Sequence, residues 1–383
     1  MDDIVKHIAI LGSTGSIGQQ TLDVVRALGD RFQVAGLGAG RNVRLLARQV
    51  EEFQPEFVSF QGNENEVKSL LSPIPHSRFL SLEEIASHPD VDLVLVATSG
   101  KAGLAPTLAA IRAGKQVALA NKEVLVMAGG IVMAEARRHG VEIAPVDSEH
   151  SAIWQCLQGE RKKEVARLIL TASGGPFRHY SSEQLATITP QQALNHPTWQ
   201  MGKKVTIDSA TLMNKGMEII EAHWLFDMPI ENIDVIVHPN SIIHSLVEFA
   251  DGSVKAQLSP PDMRLPIQYA LTYPKRLPNP HLPRVDWSKS FSLDFEPPDL
   301  SRFPCLKLAM EAGKRGGTYP AVLSAADDVA VELFLSGRIG LPDIAKLVEQ
   351  TMEHHVGVNN PSLEEVLIAD TWARKYAKSW RVR

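Results

Sequence analysis

Asp147, Glu149 and Glu218 are three carboxylates that a strand end and a helix would aim at one divalent cation, beyond a Gly-rich turn at Gly12 to Gly18 that suits a phosphate. Carboxylate oxygens suit Mg²⁺ or Mn²⁺, whereas a zinc site would show His and Cys. A nicotinamide enzyme that also needs a Lewis acid does more than move a hydride. Asp147 and Glu149 follow a candidate strand at 141–146, and residues two apart on an extended chain project to the same side. Taken alone, they would equally serve as solvated loop acids. The third acid comes from TIDSATLMNKGMEIIEAHWLF, where Met213, Met217, Ile220 and Trp224 form one apolar helical stripe. Asn214, Lys215 and Glu218 share the neighbouring polar face, with Glu221 as the rival ligand. Without a cation, this helix reads as an amphipathic surface element.

LGSTGSIG places Gly12, Gly15 and Gly18 at a strand-to-helix turn, where missing Cβ atoms let backbone N–H groups reach a pyrophosphate. An NAD enzyme would show Asp or Glu at the end of the second strand; this chain shows GAGRN. The guanidinium of Arg41, beside Gly40 and Asn42, suits a 2′-phosphate, so the expected cofactor is NADPH.

Ser173 in TASGG, Ser209 in IDSAT, and Asn214 with Lys215 supply hydroxyls, an amide and a cation for a phosphate. Asn121-Lys122-Glu123 follows the fifth strand candidate, between the expected nicotinamide and substrate. His196 and Trp199 stand in HPTWQMGKKV, a loop suited to closing over substrate. His238 and His244 lack an acid or Cys to complete a metal set and read as strand or interface residues.

These residues need elements to hold them. Strand candidates at 7–11, 32–37, 56–60, 91–98, 116–120 and 141–146 alternate with helical segments, which predicts a Rossmann-like doubly wound parallel sheet. Beyond Val146 the pattern changes to an α+β region with a largely antiparallel sheet, including a hairpin at Asp251-Gly252. A Pro-rich stretch and four helical segments complete the chain. The expected divisions are 1–146 for the nucleotide, 147–273 for metal and substrate, 274–303 as linker and 304–383 as a small helical domain. With 383 residues, 44% hydrophobic and 22% charged, the chain has the composition of a multidomain globular protein. A net charge of −5 gives no footprint for nucleic acid or an anionic membrane. Two distant cysteines, a start that runs straight into a strand and the absence of a membrane-length apolar run point to the cytoplasm.

Together, GSTGSIG, AGRN, ATSGKAGL, LANKEVLV, PVDSEHSAIWQ, TASGGPF, HPTWQMGKKVTIDSATLMNKGMEIIEA and HPNSIIHSLVEFADGS resemble the 1-deoxy-D-xylulose 5-phosphate reductoisomerase family across essentially the whole chain. The resemblance implies a homodimer of the methylerythritol phosphate route to isoprenoid precursors, using NADPH and Mg²⁺, Mn²⁺ or Co²⁺. It implies Asp147, Glu149 and Glu218 as metal ligands. Substrate contacts carry over to Lys122, Ser148, Glu149, Ser173, His196, Ser209, Asn214, Lys215 and Glu218, with Trp199 closing the loop above them. Cofactor contacts carry over to Thr14, Gly15, Ser16, Ile17, Gly40, Arg41, Asn42, Asn121, Glu123 and Gly202. Lys122 or Glu149 would move the proton, and His196 would complete the catalytic set. The chain departs from the family at SAADDVAV from Ser324, where members read closer to NAANEVAV. Two other readings stand beside this one: a simple NADP-dependent dehydrogenase of the semialdehyde or homoserine type, and a non-catalytic NADPH-binding regulator. The first would need no triad of acids, and its semialdehyde form would need a nucleophilic cysteine.

Overall fold

The structure is a computed structural model that describes residues 5–62, 77–195, 199 and 201–381. The chain divides into two compact units, one comprising 1–124, 132–151 and 262–283, the other 125–131, 152–261 and 284–383.

The first unit holds, among the described residues, a seven-stranded sheet ordered β4-β3-β2-β1-β5-β6-β7 and parallel throughout. Its strands are β1 (Lys6–Leu11), β2 (Phe32–Ala39), β3 (Phe57–Phe60), β4 (Arg78–Phe79), β5 (Leu93–Val96), β6 (Gln116–Leu119) and β7 (Ile143–Pro145). LVLV of β5 is buried throughout, the continuous apolar run that a sheet covered on both faces requires. Ile8, Ile10, Leu22, Leu37, Leu46 and Leu95 build the core. Strand order reverses between β1 and β5, which is where such sheets open a crevice for ligands.

The second unit contains a four-stranded sheet, β11-β10-β8-β9, from β8 (Val165–Ala172), β9 (Ile233–Val237), β10 (Ile243–Phe249) and β11 (Val254–Leu258). Only β8 and β9 pair in parallel; the other pairings are antiparallel, as expected. The β10–β11 hairpin turns at Asp251-Gly252, where Gly252 has φ of 84° and suits the left-handed backbone. The helices Lys203–Thr211, Met213–Phe226, Pro304–Arg315, Tyr319–Leu335, Leu341–Glu353 and Leu363–Ser379 share one core with this sheet. Leu170, Val247, Met217, Leu308, Phe334, Leu347 and Ala373 all belong to it.

Three expectations change. The C-terminal helices form no separate domain, because their apolar faces bury against the helices and sheet of the second unit. The break expected at 273/274 falls inside a segment, 262–283, that belongs to the first unit. Ile267, Ala270 and Leu271 of the helix Arg264–Thr272 enter that unit's core. Polar side chains then pin the Pro-rich run: Gln268 Nε2 donates to the Leu277 carbonyl at 2.8 Å, and Asn279 Nδ2 donates to Gln268 Oε1 at 2.8 Å. The remainder, from Arg284, lies with the second unit, where Glu296 bridges Val237 of β9. No helix among the described residues is long and apolar enough to cross a membrane.

Candidate active site

At the end of β1, the N–H groups of Gly12 and Ser13 both donate to the Gly38 carbonyl at 2.8 Å, which sets the turn against β2. Gly12 has φ of 99°, and a Cβ there would lie 2.4 Å from the Ala97 carbonyl oxygen; one on Gly18 would lie 2.3 Å from that of Gly12. Both glycines are therefore required by sterics. Gly15 caps the helix Ser16–Leu28 with no side chain of its own, so the first helical N–H groups, from Ser16 and Ile17 onward, meet no side-chain cap. That leaves a cradle for an anion at a helix N-terminus. Thr14 and Ile17 are half-buried, and Gly15 and Ser16 are exposed at its rim. Ser13 lies beneath, its Oγ donating to Gln49 Oε1 at 2.8 Å. Arg41 is exposed at the end of β2, next to Gly40, and Asn42 Oδ1 accepts from Leu45 N at 3.2 Å to start the next helix.

At the ends of β6 and β7 lies the acidic part of the first unit. Asn121 caps the helix Lys122–His139 and ties it to the β5 end, its Nδ2 donating to the carbonyls of Thr98 (2.7 Å) and Gly100 (2.8 Å). That role is structural, and it aims Lys122 from the first turn. Lys122 Nζ lies 3.0 Å from Asp147 Oδ2, with both side chains largely buried, and Glu123 is buried beside it. Burial would push the Asp147 carboxyl up, yet the Lys122 ammonium, helped by His150, holds it well below the usual carboxylate range. Asp147 and Glu149 are not two positions of one extended strand, as the sequence suggested. Ser148–Cys156 is helical, and Ser151 N donates to the Asp147 carbonyl at 2.9 Å. Glu149 therefore sits in a first helical turn, its N–H 3.4 Å from Asp147 Oδ1 and its Oε2 accepting from Ser148 Oγ at 2.6 Å. Acidic side chains suit this end of a helix. Sequence reading missed His150, fully buried with Nδ1 3.7 Å from Asp147 Oδ1; its i,i+3 spacing from Asp147 was the available signal.

The second unit supplies the other residues. Lys203–Thr211 and Met213–Phe226 are two helices joined at Leu212, whose φ of 61° is uncommon for a residue with a side chain. The joint sets Ser209, buried in the last turn of one helix, close in sequence to Asn214 and Lys215 in the first turn of the next. The glycines of TASGG pack onto the same place: a Cβ on Gly175 would lie 2.7 Å from the Ser209 carbonyl oxygen. Ser173, half-buried, accepts the Gly175 N–H at 3.3 Å. Asn214 Nδ2 and Lys215 Nζ each donate to one oxygen of Glu218. Lys215, Glu218 and Glu221 are 3%, 1% and 1% exposed, so the expected polar surface face is an interior one. Charged groups held this deep, paired and hydrogen-bonded, mark a functional constellation more than a stabilising one.

Gly202 caps the first of these helices, its carbonyl accepting from Thr206 N at 3.0 Å. His196 lies outside the described residues. Trp199 is half-buried, with its ring 6.3 Å from that of His244 and edge-on to it. His244 is buried, its Nε2 against the Ser259 carbonyl at 3.0 Å, and His238 Nδ1 meets the Asp294 carbonyl at 2.8 Å. His244 is a residue of β10, one of the two expected readings, and also supports Trp199; His238 lies just past the end of β9.

A doubly wound parallel sheet with a side-chain-free cradle after its first strand, followed by a sheet-and-helix unit carrying buried acids and lysines, defines a dinucleotide-dependent enzyme with a separate catalytic unit. The chain belongs to the 1-deoxy-D-xylulose 5-phosphate reductoisomerase family: models of that family match residues 8–129, 143–226 and 258–376. It is 55% identical over 377 residues to the 1-deoxy-D-xylulose 5-phosphate reductoisomerase of Pelotomaculum thermopropionicum, with 97% of each chain covered. Among solved structures it is similar to the Zymomonas mobilis enzyme in complex with NADPH (45% identity, TM-score 0.90, 98% of each chain). It is also similar to a DOX-P reductoisomerase in complex with NADPH, fosmidomycin and magnesium (41% identity, TM-score 0.91, 98% of each chain).

Proposed function

We propose that this chain converts 1-deoxy-D-xylulose 5-phosphate to 2-C-methyl-D-erythritol 4-phosphate by skeletal rearrangement and reduction, in the methylerythritol phosphate route to isoprenoid precursors. The observation that carries the reading is full-length membership of the reductoisomerase family. The cradle at Gly12 to Gly18 and the exposed Arg41 fit NADPH, with Thr14, Gly15, Ser16, Ile17, Gly40, Asn42, Asn121, Glu123 and Gly202 completing its contacts. A hard divalent cation fits Asp147, Glu149 and Glu218, with Glu221 the alternative to Glu218, because all are carboxylates and two of them already attract a lysine ammonium.

When bound, NADPH supplies the hydride and the cation supplies Lewis acidity toward the ketone and neighbouring hydroxyl of the substrate. The protein's own residues bind, orient and move protons. Ser173, Ser209, Asn214 and Lys215 grip the phosphate, so that binding energy from an unreactive group places the reacting carbons. Ser148 fixes the Glu149 carboxylate, and Lys122 holds Asp147 ionised. Lys122 and Glu149 are the two candidates for moving the proton. His196 and Trp199 close over the substrate and exclude water.

The semialdehyde-type alternative fares worse against the thiols. Burial pushes Cys156 up to about 11, far from an activated nucleophile, and Cys305 is also buried. A homodimer and a cytoplasmic location belong to the same reading. The exposed aromatic pair Trp287 and Phe291, with rings 5.7 Å apart, gives the dimer a candidate apolar contact. NADPH oxidation with 1-deoxy-D-xylulose 5-phosphate, with and without EDTA, tests the function. Turnover that persists unchanged in EDTA would remove the metal, and no turnover in Mg²⁺ would remove the activity. Light scattering tests the dimer.

A further inference from the structure

The helix that carries Ser209 also carries Lys204 and Asp208, and these belong to a charge cluster the reaction does not use. Lys204 Nζ lies 2.5 Å from Asp208 Oδ2, 2.9 Å from Asp327 Oδ2 and 3.6 Å from Asp328 Oδ1. Asp328 continues the chain to Arg374 at 2.7 Å, and Arg374 to Asp370 at 2.9 Å. Three helices, Lys203–Thr211, Tyr319–Leu335 and Leu363–Ser379, are thereby linked by four acids and two cations. Cys305, from Pro304–Arg315, is the other titratable group facing the pair, with its thiol in hydrogen-bonding contact with Thr211.

Asp208 and Asp327 are 1% and 0% exposed, and their Oδ1 atoms are buried with no hydrogen-bond partner among the described residues. Both carboxyls meet the one Lys204 ammonium through their Oδ2 atoms, which brings two buried acids onto a single counter-charge. Two ionised carboxylates on one ammonium leave an excess buried charge, which a single proton held by the pair removes. Burial, and then the charge of Asp327, pushes Asp208 well above the usual carboxylate range against the pull of Lys204. Asp327 is pushed the same way, by burial first.

We propose that Asp327 is a positioning residue for the phosphate end of the site: sharing one proton with Asp208 over Lys204, it fixes the helix that presents Ser209 and Gly202. Loss of the proton leaves two buried charges on one ammonium and slackens the hold on the sugar phosphate. The inference rests on the assignment of Ser209 made under the proposed function. It also gives a role to Asp327 within the segment that departs from the family pattern.

The test compares wild type with Asp327→Asn, whose amide donates to Asp208 and has no proton to lose. Kinetics with saturating NADPH and Mg²⁺ across the whole pH range in which the enzyme stays folded should show the wild-type KM for 1-deoxy-D-xylulose 5-phosphate rising about threefold or more toward high pH, while kcat stays within about twofold. The variant's KM should stay flat over that range. Thermal melting supplies a readout independent of activity. A native carboxyl that keeps its proton above its unfolded pKa makes the folded state bind more protons, so stability falls as pH rises until the native pair ionises. Wild-type Tm should therefore fall with pH more steeply than that of Asp327→Asn. Superimposable KM profiles, or equal melting slopes, would overturn the proposal. Should Asp327→Asn not fold, Asp208→Asn is the reciprocal variant, judged by the same two criteria. A wild type without turnover would overturn the functional reading instead, and the melting slopes would still decide whether the pair holds a proton.

Discussion

The two units prepare for a negatively charged ligand by opposite means. In the first, the turn from Gly12 to Gly18 offers backbone N–H groups and removes side chains, so neutral dipoles at a helix start would do the proposed binding. In the second, the proposed phosphate residues Ser173, Ser209, Asn214 and Lys215 would use side chains, and Lys215 is paired in the interior with Glu218. A backbone site tolerates an empty state, because its donors reach water. A buried side-chain site must carry its own counter-charge until a ligand arrives. The pairing of Lys122 with Asp147 follows the second rule within the first unit.

Each half of this contrast can be broken separately. The largest effect on activity is expected from Asp147→Asn, which removes a proposed ligand and the partner of Lys122: kcat/KM should fall by about 10²-fold to 10³-fold or more in Mg²⁺. Steady-state kinetics check this, and a loss under tenfold would count against Asp147 as a ligand. Next, Lys215→Met leaves the buried Glu218 without its ammonium and should lower stability by about 3–5 kcal/mol in urea unfolding of the metal-free protein. On the backbone side, Arg41→Ala should reduce the preference for NADPH over NADH by about 10-fold to 100-fold, the worth of a charge-assisted hydrogen bond, with little change in Tm. A comparable effect, about 1–3 kcal/mol, is expected for Gly18→Ala, whose methyl meets backbone at 2.3 Å. Wild type is its control. Equal NADPH affinity in Gly18→Ala and wild type, by fluorescence titration, would show that steric clearance at Gly18 is not what makes the cradle.

The sequence made the nucleotide unit largely legible, since parallel strands buried on both faces read as unbroken aliphatic runs and the glycine spacing falls at a predictable turn. It missed β4, because two exposed residues at a sheet edge, Arg78 and Phe79, carry no such run. The proposed catalytic residues were legible as types and less so as geometry. SEHSAIWQC gives little sign that a helix begins immediately after Asp147, so Glu149 was expected on a strand. Periodicity placed Lys215 and Glu218 on a polar face correctly, yet it cannot tell that helices distant in sequence will cover that face. The Pro-rich run read as a linker because bonds such as Asn279 to Gln268 depend on a fold already made.

The core of the second unit draws on Val126 at one extreme and Ala377 at the other, and the core of the first awaits Ile267 and Leu271. On the ribosome, then, neither unit can close as its own leading segment emerges: the nucleotide sheet must wait through some 130 further residues for its last helix, and the other unit until Ala377 has been made. Nascent chains of this protein should thus leave the exit tunnel with apolar surface still uncovered, a demand on chaperones set by where in the gene these few packing residues are encoded.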